Sequence, residues 1–258
     1  MKIVSYNING IRSVIKKGFS NWIEIFQPDI LCLQEIKALK EQIKTNIFDN
    51  LGYNHYWFSA KKKGYSGVAI LCKEKPKNIE YGIGIDSIDQ EGRVIRIDFK
   101  KISVINIYIP SGNNNKKDRL NFKFFFMKNF FFYIKKIKKK LNNLIICGDY
   151  NICYKRIDIY DPIKYQEISG FLPEERKWLG TFLQKLDFID SFRIYIKDGK
   201  NYSWWNYRYN AKINNHGWRI DYVMVSKSLK NKMIKAYLLP KVGYSDHCPM
   251  VLEIEKMT

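Results

Sequence analysis

Cysteine is scarce and shows no pattern. Five residues, Cys32, Cys72, Cys147, Cys153 and Cys248, are scattered and odd in number, with no Cys-x-x-Cys pair. That spacing excludes a zinc ribbon. Cys32, Cys72 and Cys147 lie inside apolar runs, where a free thiol behaves as a small core residue. A reducing, cytosolic compartment is therefore expected. Long hydrophobic runs are missing as well. Nothing approaches the ~18 consecutive apolar residues of a membrane span. The nearest run, Phe122 to Ile134, is broken by Lys123, Lys128 and Asn129. No signal peptide is visible, because Lys2-Ile3-Val4-Ser5-Tyr6 already alternates like a strand. Linkers, low-complexity tracts and clear internal repeats are absent too, so one domain over 1–258 is expected.

Acidic residues are few, 25 against 45 basic ones, and the net charge is +20. Such a charge suits a polyanionic partner. Arginine is also rare, at nine of the 45, while Ile, Asn and Lys abound. An AT-rich coding bias would yield the same mixture, so charge alone does not identify nucleic acid. Apolar residues make up 46%, enough for a sizeable core and too many for global disorder.

The chain begins with a strand over 2–7. Phe19, Trp22, Ile23 and Phe26 recur at helical spacing until Pro28-Asp29 closes the helix. Ile30 to Leu33 reads as a buried strand that delivers Gln34-Glu35, and a helix is expected over 39–50. Further strands are expected over 55–59, 68–72, 93–99, 102–108, 144–147, 203–205, 219–225, 236–239 and 250–254. The longest helix candidate runs from Arg119 to Leu141. Phe122, Phe126, Phe130, Tyr133, Ile137 and Leu141 share one of its faces, with the lysines expected on the solvated side. Pro173 starts another helix, to about Leu186. Alternating strands with short loops predict an α/β (α+β) fold with mixed sheets rather than an all-parallel one.

One stretch stands out: Leu144-Ile145-Ile146-Cys147-Gly148-Asp149-Tyr150-Asn151. A buried strand ends at a glycine, and two side chains able to hold a cation or a water follow. The end of such a strand is a rigid place for a reacting group. A plain turn would look the same. However, Asn7, Glu35, Tyr108, Asp149, Asn151, Asp221, Asp246 and His247 all sit at or near the ends of apolar strand candidates. Eight such residues suggest one polar rim. Carboxylates, amides and a single His suit Mg²⁺ or Mn²⁺ better than zinc. Phosphoryl chemistry needs such a set, to offset charge, position water and donate to phosphate oxygens.

Seven segments occur in order: Ser5-Tyr6-Asn7-Ile8-Asn9-Gly10, Leu33-Gln34-Glu35 with Lys37, Gly64-Tyr65-Ser66-Gly67-Val68, Gln90-Glu91-Gly92-Arg93-Val94, Gly148-Asp149-Tyr150-Asn151, Gly217-Trp218-Arg219-Ile220-Asp221-Tyr222 and Ser245-Asp246-His247-Cys248-Pro249. The set resembles the exodeoxyribonuclease III / apurinic-apyrimidinic endonuclease family of the endonuclease/exonuclease/phosphatase superfamily, over essentially the whole chain. The resemblance implies a four-layered sandwich, two mixed β-sheets packed face to face and flanked by helices. It implies a Mg²⁺-dependent (or Mn²⁺-dependent) DNA-repair nuclease, with one or two ions. Such an enzyme cuts the phosphodiester 5′ to abasic sites in duplex DNA and trims blocked 3′ ends. It would work as a monomer, in the cytoplasm at the nucleoid.

The resemblance also implies roles. Glu35 holds the metal, with Asn7 and Asp246 nearby and Asp149, Asn151 and His247 within the same set. Asp149 activates or positions the attacking water, Asn151 helps orient it, and Tyr108 donates to the phosphate. His247 contacts the scissile phosphate, and Asp221 orients that His. Whether Asp149 or His247 is the base stays open at this level. Trp204, Trp218 and Ile220 would wall the pocket for a flipped abasic sugar, and Arg208 falls where the family varies its DNA-wedging side chain. Strand alternation places Trp218 and Ile220 on one face and Arg219 and Asp221 on the other. The loop Ser111 to Lys117 lacks the DNA-entering Arg of the animal branch. Two rivals remain: a lipid or inositol-phosphate phosphodiesterase, and a non-catalytic DNA-binding relative. The run Trp204-Trp205-Asn206-Tyr207-Arg208 argues against the first, and the intact set of eight residues against the second.

Overall fold

The computed structural model describes residues 1–256. The strands are β1 (Lys2–Asn7), β2 (Ile30–Gln34), β3 (Asn54–Phe58), β4 (Val68–Cys72), β5 (Asn78–Tyr81), β6 (Val94–Asp98) and β7 (Ser103–Tyr108). Then follow β8 (Leu144–Asp149), β9 (Phe188–Asp190), β10 (Trp204–Trp205), β11 (Gly217–Trp218), β12 (Asp221–Ser226), β13 (Met233–Leu238) and β14 (Met250–Ile254). They form two six-stranded sheets, ordered β13-β14-β1-β2-β4-β3 and β5-β6-β7-β8-β12-β9, plus the short β10-β11 ribbon. Both large sheets are mixed: β1 runs parallel to β2, and β7 parallel to β8, among antiparallel neighbours.

Period-two alternation builds the layers. Ile3, Cys32, Val104, Cys147 and Val223 point into the core between the sheets. Val4, Leu31 and Leu33 face outward and are covered by the helices Ile11–Lys16 and Phe19–Phe26. Ile146 and Tyr222 face the helices Lys117–Ile137 and Pro173–Lys185 on the other side. The result is the expected four-layered sandwich. No helix among the described residues is long and apolar enough to cross a membrane.

The inner faces change character along their length. Ile3-Ser5-Asn7, Ile30-Cys32-Gln34, Val104-Asn106-Tyr108, Ile145-Cys147-Asp149 and Val225-Val223-Asp221 each run from apolar to polar in steps of two. The polar ends meet at one rim. Gln34 Nε2 donates to Asn106 Oδ1 at 2.7 Å and to Ser5 Oγ at 3.1 Å, and Asn106 Nδ2 donates to the carbonyls of Leu33 and Ala69 at 2.8 Å. These buried amides lock the two sheets together where they would otherwise part, because each needs its partners once water is excluded.

Three expectations fail. The helix over 39–50 is instead a 3-10 turn, Lys40–Gln42, and a short helix, Asn46–Asn50. Between them Ile43 is extended and buried, so burial of that side chain overrides helical propensity. The long helix stops at Ile137, and its lysines are not all solvated. Lys123 is fully buried and paired with Glu175, on the line Lys123–Phe126–Phe130–Ile134. The edge strands β5 and β9 and the helix Ile11–Lys16 were not expected; each is too short to carry a periodic signal.

A buried ionic knot fixes the approach to β12. Asp158 Oδ1 accepts from Arg219 Nε at 2.8 Å and from Arg193 Nε at 3.1 Å, and Asp190 Oδ2 accepts from Arg219 Nη2 at 2.7 Å. Burial alone would raise the Asp158 carboxyl, but the two guanidiniums outweigh it and hold its pKa below the ordinary value. A depressed folded pKa means the stabilisation is complete above the unfolded value, about 4, and fades as pH falls through the folded one. Asp158→Asn should therefore destabilise the fold by ~3–5 kcal/mol at neutral pH. The gap in Tm from wild type should narrow as pH falls below about 4. A gap that stays constant there would show that charge does not hold the knot.

Candidate active site

Strand direction explains why the polar residues converge. β1 and β2 are parallel, so Asn7 and Gln34 end side by side, and Glu35 follows at once. Parallel β7 and β8 place Tyr108 opposite Asp149. Antiparallel β12 begins at Asp221, opposite Asp149 from the other side. β14 runs against β1, so Asp246 and His247, just before it, reach the same rim. Gly148 lets β7 and β8 approach: a Cβ there would lie 2.0 Å from the Ile107 carbonyl oxygen.

The rim opens into a cleft of about 560 Å³. Of the twelve expected site residues, Asn7, Glu35, Tyr108, Asp149, Asn151, Asp246, His247, Trp204, Arg208, Trp218 and Ile220 line it. Asp221 lies behind His247. Its Oδ2 accepts from His247 Nδ1 at 2.9 Å, and His247 Nε2 points onward to within 3.9 Å of Asp149 Oδ2. Arg219, two residues before Asp221, belongs instead to the Asp158–Asp190 knot. The expected alternation holds for Trp218 and Ile220, which share the cleft. Arg219 and Asp221 do not line it, although the chain leaves strand geometry at Arg219-Ile220 before β12 begins.

Asp149 is held on every side. Its Oδ1 accepts the Asn151 backbone N–H at 2.8 Å, and its Oδ2 accepts Asn7 Nδ2 at 2.8 Å and Asn151 Nδ2 at 3.4 Å. Burial and the nearby Asp221 lift its pKa, against the pull of His247 and of these hydrogen bonds, to about 7. Burial alone would lower the His247 pKa, but Asp221, Asp149 and Asp246 together push it up to about 10. The Asp221 carboxylate orients the ring through Nδ1, and the carboxylates on either side favour its protonated form. Burial also drives the Tyr108 phenol well above its usual value, so it stays a neutral donor.

A second polar chain crosses the cleft. Lys37 Nζ lies 2.9 Å from Glu35 Oε1 and donates to Asn9 Oδ1 at 2.6 Å. Asn9 Nδ2 donates to Asp246 Oδ1, and Trp204 Nε1 to Asp246 Oδ2, both at 3.0 Å. Asn9, Glu35, Lys37 and Asn151 all take left-handed backbone conformations, with φ between 48° and 59°. Such strain in non-glycine residues persists where the surroundings dictate it, and it gathers at functional sites.

The oxygens of Glu35, Asp246 and Asn7 are a hard donor set, which fits a divalent cation such as Mg²⁺. Asp149, Asp221 and His247 also offer ligand atoms within 4.8 Å of one another. In that trio Asp221 Oδ2 and His247 Nδ1 already engage each other at 2.9 Å.

Asn9, Lys37 and Lys123 line the cleft without having been singled out for a role. The signal for Lys123 was its place three residues before buried Phe126. Its Nζ donates to the Asn151 carbonyl at 2.8 Å, so it braces the turn that carries Asn151. The loop without the expected Arg is tied down by Asn114, which accepts from the Ser169 backbone N–H at 2.8 Å.

A paired-sheet sandwich whose shared rim carries a carboxylate–imidazole–carboxylate line beside hard oxygen donors defines a phosphoester hydrolase. The chain belongs to the endonuclease/exonuclease/phosphatase family, whose model matches residues 4–247. It is 39% identical to an exodeoxyribonuclease of Bacillus subtilis over 98% of this chain and 99% of that protein. Its fold matches an AP endonuclease from Archaeoglobus fulgidus with a TM-score of 0.90 and 27% identity, over 99% of this chain and 100% of the other. A 3′ phosphatase from Neisseria bound to a product DNA hairpin matches with a TM-score of 0.93 and 26% identity, over the same shares.

Proposed function

We propose that this protein is a Mg²⁺-dependent DNA-repair nuclease that hydrolyses the phosphodiester 5′ to abasic sites in duplex DNA. It also removes blocked or terminal residues from 3′ ends. It acts as a single domain and a monomer, in the cytoplasm at the nucleoid. The observation that carries this reading is the line Asp221–His247–Asp149 aimed into a cleft that Glu35 also lines. The names of its full-length relatives and the charge of +20 support a DNA substrate.

Each side chain then has a task. Glu35, with Asn7 and Asp246, holds the divalent cation, which when bound offsets charge on the phosphate. His247, charged and oriented by Asp221, donates to a non-bridging oxygen, and Tyr108 donates to another. Asp149, with a pKa near the working pH, takes the proton of the attacking water, while Asn151 and Asn7 fix its carboxylate. Mn²⁺ would fit the same donors.

The direct test is a duplex carrying one abasic analogue, incubated with and without Mg²⁺. Incision 5′ to the lesion only with metal is expected; no incision with either metal would overturn the reading. Glu35→Ala should need far more Mg²⁺ for the same rate, or fail outright. Unchanged activity at low Mg²⁺ would remove Glu35 from the metal seat.

Trp204, Trp218 and Ile220 wall the sugar pocket. Gly170 makes room for this wall, since a Cβ there would meet the Trp218 ring at 2.6 Å. Trp218 is half-buried, resting on the small cluster of Cys153, Ile159, Phe171 and Ile220 while it lines the cleft. Trp218→Ala should lower Tm only modestly and raise cutting of undamaged nucleotides relative to abasic ones. A core role would instead lower stability by ~3–5 kcal/mol and leave that ratio alone.

A further inference from the structure

The cleft contains more aromatic surface than an abasic sugar can use. From the catalytic histidine outward, five rings follow one another. Trp204 lies 6.4 Å from His247 between ring centroids, and Trp218 lies 5.9 Å from Trp204. Tyr165 is 5.2 Å from Trp218, Tyr160 is 5.4 Å from Tyr165, and His216 stacks on Tyr160 at 4.6 Å with the planes 14° apart. All five line the cleft. Packing accounts for only part of the outer three: Tyr165 and Tyr160 rest on small apolar clusters yet stay half-buried along the cleft, and His216 is exposed.

The strip is rigid. The Tyr160 backbone N–H donates to the Gly217 carbonyl at 3.1 Å, and Ile159 bridges to Trp218. Beneath it sits the Asp158–Arg219 knot. The hydroxyls of Tyr160 and Tyr165 bond each other at 2.7 Å, which holds the two rings in register. Lys164 Nζ lies 5.5 Å from the centre of the Tyr165 ring, placing a cation beside it. Pre-formed aromatic faces next to a phosphate site, with a cation at hand, are the chemistry that binds unpaired bases.

We propose that Tyr165, Tyr160 and His216 form a stacking subsite for the base of an unpaired nucleotide whose sugar occupies the pocket of Trp204, Trp218 and Ile220. The inference rests on the nuclease reading above and deepens it. An abasic sugar fills the inner pocket and leaves the strip empty. A frayed 3′-terminal nucleotide uses both, because its base extends outward from the sugar along the strip. The subsite therefore sets the balance between abasic-site incision and removal of mispaired 3′ ends.

Two duplexes separate these uses: one with an internal abasic analogue, one with a mispaired 3′-terminal nucleotide. Tyr160→Ala combined with His216→Ala should lower removal of the mispaired end about tenfold relative to abasic incision, in keeping with the loss of base–aromatic stacking. Tyr160→Phe keeps the ring and loses only the hydroxyl bond, so it should retain most of the wild-type ratio. Binding is read without turnover in Asp149→Asn: a single strand carrying 2-aminopurine should be quenched on binding, and the added alanine pair should abolish the quenching. An unchanged ratio, a parallel fall of both activities, or a Tyr160→Phe ratio as low as that of the alanine pair would overturn the subsite. Failure of the wild type to incise the abasic duplex would overturn the nuclease reading alone, since the quenching assay judges the strip separately.

Discussion

Asp149→Asn should leave the protein folded and able to hold duplex DNA while turnover falls by ~10²–10⁴, the range for a lost acid–base group. The side chain keeps its size, so the strand end and the sheet pairing with Tyr108 and Asp221 remain. What disappears is the anion that His247 and Asn7 face. Its amide can still accept the Asn151 N–H through one oxygen, but its nitrogen would oppose Asn7 Nδ2, which now donates at 2.8 Å. The Asn7 amide cannot turn over to answer this, because its Oδ1 accepts the Asn9 backbone N–H at 3.0 Å, so a modest fall in Tm should accompany the loss of turnover. Single-turnover cleavage at saturating protein, set beside a gel-shift titration, separates the two. Near-normal single-turnover cleavage would remove Asp149 from the chemical step.

His247→Ala should slow turnover by a comparable factor, and Asp221→Asn by less. The double variant should then be little worse than His247→Ala alone. Asp221 reaches the substrate only through the imidazole, by the 2.9 Å bond to Nδ1, so once the ring is gone it has nothing to orient. Residues that act as one unit give such non-additive losses. Additive losses would mean that Asp221 acts by another route. Asp221 Oδ1 is buried without a hydrogen-bond partner, so a direct effect on local packing is the alternative that additivity would favour.

Much of the architecture could be read along the chain. Strands such as 2–7, 68–72 and 102–108 lie where they were expected, because a short, largely apolar run bounded by turn residues marks a strand buried on both faces. The helix over 39–50 was misread because its apolar spacing comes from separate contacts on either side of an extended Ile43. Lys123 was misread because a lysine on an aromatic helix is ordinarily solvated; its partner Glu175 is 52 residues away and leaves no local mark. The aromatic strip was invisible for the same reason, since Tyr160, Tyr165 and His216 come from two loops.

The sequence by itself determined the polar terminus of each inner face. Ile145-Cys147-Asp149 or Val225-Val223-Asp221 is legible one strand at a time, and the ordered segments mark the family. Which of these ends meet was decided only in three dimensions. Parallel pairing of β1 with β2 and of β7 with β8, with β12 and β14 running the other way, carries every polar end to one rim. Charge assignment followed from that meeting. Asp149 and His247 owe their shifted pKa values to burial and to each other's company, which no single strand contains.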